Sequence, residues 1–151
     1  MRSRAEDGVR YFDHAHAGAD AQRGLSMRRD DDLIRQLVLD LESATAAMSD
    51  AHKVDGYTRD EVAYHLALIL RAGLAEGPEP RYPSDGSDPT IPRLIMVLRL
   101  TPAGHDFIDT LRDDTVWKTV KESAKKAGGS LSLELLKQVG TAVIKAHLNL
   151  P

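Results

Sequence analysis

Two helix starts stand on either side of a segment that cannot be helical, and this punctuation constrains the chain more than anything else in it. Thr58-Arg59-Asp60-Glu61 has the form in which a Thr side chain and a Glu three residues later satisfy each other's backbone N–H groups, so a helix opens there. Val62, His65, Leu66, Ile69 and Leu70 continue it at helical spacing to Gly73, a residue suited to the left-handed turn that ends a helix. The second start is Thr101-Pro102, a capping Thr followed by Pro at the first helical position, where a missing N–H does no harm. Between them, Gly77 to Pro89 holds four prolines, which can neither donate to a sheet ladder nor sit inside a helix. That stretch is predicted as a long loop. Pro92 to Leu100 is aliphatic and of strand length, and is predicted to return and pair near Leu74 to Glu76, which makes the loop the tip of a hairpin.

The flanks read as helices. Leu33, Ile34, Leu37, Val38 and Leu41 fall on one helical face, with Asp30 to Asp32 at its electropositive end, and predict a helix from Asp31 to Ala47. Asp50 to Tyr57 reads as a loop with a brief strand, ending in an Asp-Gly turn. After Thr101-Pro102 a helix buries Phe107, Ile108 and Leu111. Asp113-Asp114-Thr115 then caps another, with Val116, Trp117, Val120 and Ala124 on one face and Lys118, Lys121, Lys125 and Lys126 on a second. Gly128-Gly129 stops it. Ser130-Leu131-Ser132 starts a last helix carrying Leu133, Leu136, Val139, Gly140 and Val143. Residues 1–26 show almost no apolar periodicity and are predicted to be a poorly ordered arm. The expected division is therefore an arm over 1–26, a domain over 27–112 and a helical extension over 113–151 packed on it. The expected class is α+β, mostly α.

The order of these signals resembles the winged helix-turn-helix pattern of many bacterial regulators. The residues that carry the likeness are Tyr64-His65-Leu66, Leu70-Arg71-Ala72-Gly73-Leu74 and Leu100-Thr101-Pro102-Ala103-Gly104-His105-Asp106-Phe107. The β-hairpin would be the wing. More closely, the chain resembles a bacterial and phage family called domain of unknown function 2513. Met27-Arg28-Arg29-Asp30-Asp31-Asp32-Leu33-Ile34-Arg35 is similar to its usual start, and Arg112-Asp113-Asp114-Thr115-Val116-Trp117 and Gly128-Gly129-Ser130-Leu131-Ser132-Leu133 to its C-terminal segments. The likeness covers about Met27 to Leu150. It implies that residues 1–26 are either an extension or a misassigned start, and it implies no activity.

Composition narrows the functional classes. With no cysteine there is no disulfide framework, thiolate metal site or cysteine nucleophile, which suits a reducing, cytoplasmic setting. No apolar run is long enough to span a bilayer, so no membrane partner is expected. The six histidines show no compact ligand spacing, and no phosphate loop, nucleophile elbow or paired-carboxylate motif is present, so neither metal, cofactor nor enzyme activity is expected. A net charge of −3 excludes a globally basic nucleic-acid binder and leaves only a local basic face.

The first expectation is thus a non-catalytic, winged-helix DNA-binding or transcription-regulator-like protein of phage or prophage type. In such a fold the second helix of the pair enters the major groove, and phosphate contacts come from basic side chains nearby. The candidate contacts to double-stranded DNA are Arg59, Tyr64 and Arg71 on that helix, Arg81, Arg93 and Arg99 on the hairpin, and Lys118, Lys121 and Lys125 on the lysine row. The helix is rich in Ala and Leu and opens with Asp60-Glu61, which suits phosphates poorly. The alternative is a winged-helix protein–protein interaction module that does not bind DNA. Acidic residues interrupting the basic surface would favour that alternative. Trp117 reads as core, His65 as a buried, hydrogen-bonded histidine, and Leu133, Leu136, Val139 and Val143 as either a homodimer seam through the C-terminal helices or a face packed on the chain itself.

Overall fold

The first helix, α1 (Asp31–Ser43), begins where the aspartates place it: the Asp30 side chain caps it by accepting from the Leu33 N–H. Its five stripe residues, Leu33 to Leu41, are buried. The structure, a computed structural model, describes residues 27–129 and 131–150, so the predicted arm lies outside the described residues. α1 ends at Ser43, four residues before the expected Ala47, because Ala44 is extended (φ −70°, ψ 141°). Ala, Thr, Ala and Ala at 44–47 favour helix locally, but they offer nothing large enough to hold a further turn on the core. Leaving the helix early delivers Met48, 5% exposed, into the core, and tertiary burial overrides propensity.

Met48 and Ser49 form β1 (Met48–Ser49), so the brief strand lies just upstream of the predicted loop, and 50–57 is turn. Next, α2 (Arg59–Arg71) has both halves of its capping box: Thr58 Oγ1 accepts from Glu61 N at 3.1 Å, and Glu61 Oε1 from Thr58 N at 2.8 Å. Gly73, at φ 78°, ends it.

The hairpin starts in β2 (Ala75–Glu76) and returns through β3 (Met96–Val97) and β4 (Arg99–Leu100). β2 pairs antiparallel with β4, Ala75 opposite Leu100 and Glu76 opposite Arg99, as expected for a strand returning to this point. β1 pairs antiparallel with β3, Met48 opposite Val97 and Ser49 opposite Met96. The returning segment is not one strand. Val97 and Leu100 are both buried while Leu98 and Arg99 are both exposed, so the inward–outward alternation slips at Leu98. Farther out, a single bridge between Arg81 and Leu94 holds the arms together. Gly77 allows them to close, since a Cβ there would lie 2.4 Å from Met96 O.

Three helices complete the chain. α3 (Pro102–Leu111) is capped by Thr101, whose hydroxyl accepts from Gly104 N and donates to Gly73 O at 2.6 Å, tying the end of α2 to the start of α3. α4 (Asp114–Lys126) is capped by Asp113, and α5 (Leu133–His147) by Ser132. α5 packs against both α3 and α4. Trp117, Val120 and Leu136 share one core cluster with Leu33, Ile69, Ile95 and Phe107, so the C-terminal helices belong to the same core as the rest. The architecture is α+β and mostly helical, with five helices and short two-stranded pairings among the described residues.

Candidate functional site

The sequence motifs that carry the family likeness turn out to bind each other. On α1, Arg35 donates through Nε to Leu111 O at 2.7 Å, and through Nη2 to Arg112 O and the Asp114 carboxylate, while its guanidinium stacks over the Trp117 ring. These bonds satisfy carbonyls at the end of α3 that no helix partner can reach. Trp117 Nε1 donates to Asp32 Oδ1 at 2.7 Å, and Lys121 Nζ reaches the same carboxylate. Arg112 forks onto both oxygens of Glu42 at 2.7 Å and also meets Asp109. The fork holds the Glu42 carboxyl below its ordinary range and pushes the guanidinium up. Asp114 is therefore an ion-pair partner of Arg35 as well as a first-turn acid, a role beyond the capping expected of it. Asp32, Arg35 and Glu42 on one side and Arg112, Asp114 and Trp117 on the other weld α1 to the α3–α4 junction, and Trp117, 4% exposed, is core.

A second buried polar group joins α1 to α2. Asp30 N–H donates to His65 Nε2 at 2.7 Å, which makes that nitrogen the acceptor, so His65 Nδ1 carries the proton and donates to Glu61 O. Tyr57 donates to Asp30 Oδ2 at 2.9 Å, and burial together with that carboxylate raises the phenol above its ordinary range. Among the described residues no group of His, Asp and Glu is arranged to hold a metal ion.

Of the predicted contact residues, four cations are already paired. Arg59 Nε lies 2.9 Å from Asp50, Arg99 2.7 Å from Glu76 and Lys121 3.0 Å from Asp32, and Arg93 holds Asp85 at the hairpin tip. Hydrogen bonds from Ser87, together with Arg93, keep the Asp85 carboxyl well below its ordinary range. Arg71, Arg81, Lys118 and Lys125 are exposed and enter no ion pair among the described residues. These four sit on α2, the hairpin and α4, with the paired residues interspersed. Acidic side chains therefore interrupt the basic surface.

The exterior of α2 is small. Glu61, Val62, Ala63, His65, Leu66, Ala67 and Ile69 are buried. Apart from Arg59 at its start, solvent reaches it mainly along Asp60, Tyr64, Leu68 and Arg71, which recur at intervals of four, four and three. Two of its members, Tyr64 and Arg71, face the hairpin. Tyr64 and Arg71, with Tyr82, Pro89 and Thr90, line an open cleft of about 330 Å³, and Arg71 Nη2 donates to Tyr82 Oη at 2.9 Å. An adjoining cleft of about 340 Å³ runs from Arg71 and Tyr82 past Leu70 to Pro78 and Glu79. Tyr64 is braced edge-on against the His65 ring, centroids 5.3 Å apart. Of the nine predicted contacts, then, the cleft gathers Tyr64 and Arg71. Tyr82, read from sequence with Arg81, Arg93 and Arg99 as part of a wing that could reach phosphates, is their partner; Pro89 was read only as the end of the proline-rich loop, and Thr90 gave no signal. Elsewhere on the hairpin, Leu94, Met96 and Leu98 are 56%, 42% and 42% exposed.

The profile of the family described as "Hypothetical protein (DUF2513)" matches residues 28–130. The chain belongs to this DUF2513 family. An uncharacterised protein of Haemophilus influenzae is 38% identical to it over 125 residues, covering 81% of this chain and 99% of the relative. No solved structure matches. The DUF2513 match includes both welded motifs, the start around Asp30 to Arg35 and the Arg112 to Trp117 run, as well as the whole α2–hairpin cleft. No helix among the described residues is long and apolar enough to cross a membrane.

All four residues of the expected C-terminal seam pack on the chain's own core. Leu136 is fully buried against the chain's own core, and Leu133, Val139 and Val143 pack partly on it, whereas Leu135 stays 44% exposed.

Proposed function

We propose that this DUF2513 protein is a non-catalytic docking module on a winged-helix scaffold, and that it engages another protein through the cleft between α2 and the hairpin. The winged-helix reading is supported by the order α1, β1, α2, hairpin, α3, with β1 and β2 both laid on the returning segment and the hairpin in the place of a wing. The observation that carries the function is the exterior of α2. A helix that reads a major groove presents a row of polar and basic side chains; this one buries seven of its thirteen residues, and of those that solvent reaches only the two at its ends, Arg59 and Arg71, are basic. Tyr and Arg beside prolines are the residue types that anchor protein interfaces. The paired arginines point the same way, since an incoming phosphate must first displace Asp50, Asp85 or Glu76.

A photo-crosslinking residue at position 82, introduced into the full chain in its host cells, tests the reading. Discrete adducts that protease removes and nuclease leaves intact are expected, and are not expected from a crosslinker at Lys145 on α5. Adducts removed by nuclease, or none above the Lys145 control, contradict it.

A further inference from the structure

We infer that the α2–hairpin cleft takes an extended, mostly uncharged peptide segment with a single carboxylate, placed on Arg71, and an adjacent apolar or aromatic side chain between Tyr64 and Tyr82. The inference rests on the docking reading above and names the chemistry of the partner. Arg71 is exposed at the last position of α2, and its one side-chain hydrogen bond among the described residues is to the Tyr82 hydroxyl. That single bond leaves most of the guanidinium fork unused, and a planar, forked donor matches a carboxylate. The fork is also positioned in advance. Tyr82 holds one nitrogen, and Tyr82 itself follows Arg81, whose backbone is fixed by the bridge to Leu94. The far rim is set by Asp88, whose carboxylate accepts from both the N–H and the hydroxyl of Thr90, arresting Pro89-Thr90 at the mouth of the cleft. Anchors that do not need ordering on binding lose less entropy.

Charge decides between a peptide with a single carboxylate and a polyanion. Arg71 is the single charged residue lining the cleft with Tyr64 and Tyr82. Around it stand three carboxylates against one further cation, Arg81 beside Tyr82: Asp60 lies on the same stripe of α2, Glu79 lines the adjoining cleft, and Asp88 flanks the rim. A phosphate backbone, with a charge on every unit, would meet these acids within a few residues of reaching Arg71. A peptide with one carboxylate beside an apolar side chain satisfies Arg71 and presents nothing to the surrounding acids. The two tyrosines supply rigid apolar faces with polar tips, and the prolines at 78, 80 and 89 add surface without a backbone donor left unpaired.

The test is selection of a displayed random peptide library on the full chain, followed by anisotropy titration of the selected peptides against variants. Enriched peptides are expected to share an Asp or Glu next to an aromatic or aliphatic residue. Arg71→Ala should weaken them about tenfold or more, the scale of a lost charge-assisted hydrogen-bond pair, and Tyr82→Phe by less. Lys118→Ala should leave them unchanged. Arg71 is exposed, so Arg71→Ala and Arg71→Lys are expected to keep the wild-type circular dichroism and Tm, and Arg71→Lys separates the need for a fork from the need for charge. Peptides that bind Arg71→Ala as well as wild type, but lose binding to Tyr82→Ala, would overturn the inference while leaving docking at the cleft intact; peptides that lose binding only to Met96→Asp would overturn both. Selected peptides without a shared acid, no enrichment over a bare support, or displacement by random DNA would overturn it as well.

Discussion

The same substitution at two helix glycines separates contacts that can yield from contacts that cannot. Gly104 lies in the first turn of α3, and a Cβ there would fall 1.9 Å from Leu74 O, a backbone atom at the entrance to β2, and 3.2 Å from Leu100 Cδ2. Gly140 lies inside α5, and its Cβ would fall 2.7 Å from Thr110 Cγ2 and 2.8 Å from Leu111 Cδ2, both side-chain atoms. Alanine gains up to about 1 kcal/mol of helix propensity over glycine at an interior position, and less in a first turn. Against that gain, overpacking a fixed contact costs typically about 1–3 kcal/mol and occasionally more. At Gly104 relief requires α3 to move more than an ångström away from a strand to which Thr101 is bonded on both sides, through Gly73 O and Leu74 O. Gly104→Ala is therefore expected to lose about 3 kcal/mol or more, whereas in Gly140→Ala small rotamer shifts and the propensity gain bring the net loss to about 1 kcal/mol or less. At about 4 °C per kcal/mol for a chain of this size, thermal unfolding should show a drop of about 12 °C or more for the first and about 4 °C or less for the second. Equal Tm values for the two variants, or a Gly104→Ala protein as stable as wild type, would refute the steric argument.

Asp32→Ala removes the acceptor of Trp117 Nε1 and should cost about 1–2 kcal/mol, with a coupling to Trp117→Phe of about 1 kcal/mol in a denaturant double-mutant cycle; additive effects would mean the bond contributes nothing to the weld. Asp31 is a different case, because its Oδ1 is buried with no hydrogen-bond partner, although Arg29 Nε lies 2.8 Å away in an ion contact, and burial pushes its carboxyl above the ordinary range more than Arg29 lowers it. A raised folded-state value means stability is lost as pH rises from the unfolded carboxyl range through the folded one, so Asp31→Asn should raise Tm at neutral pH and the gain should vanish below about pH 4. A variant less stable than wild type at pH 7, or an advantage that persists in acid, would reject that reading. Thr58→Ala should cost about 1 kcal/mol through the lost cap of α2, read from the urea midpoint at unchanged slope.

Local signals foretold most of the helix ends because each rests on a few adjacent residues. Thr58 with Glu61, Thr101 with Pro102, Asp113 and Gly73 all act as their chemistry predicts. The end of α1 was not legible, since Ala44 to Ala47 carry no breaker and only the distant Val97 explains why the chain turns out to bring Met48 inward. The break at Leu98 was hidden in the same way, because an aliphatic run does not reveal which residues two different neighbours will pair. Charges were the least legible. Arg59, Arg93, Arg99 and Lys121 read as free cations in one dimension, and their carboxylate partners lie between 8 and 89 positions away. The Arg112 to Trp117 run looked like the most distinctive stretch of the chain, and it is used in holding α1 to α3 and α4. The cleft could not be foreseen because Tyr64, Arg71 and Tyr82 become a site only when the hairpin folds back along α2.

The reading of α2 as an occupied helix beside a protein-docking cleft, and not as a groove-reading helix, is tested most directly by titrating the full chain with random-sequence duplex DNA by fluorescence anisotropy at low and then moderate salt. The account predicts no detectable association at low salt, with the Lys118→Glu/Lys125→Glu variant indistinguishable from wild type. Association that falls steeply with salt, and that Arg71→Ala or the double lysine variant abolishes, would contradict it.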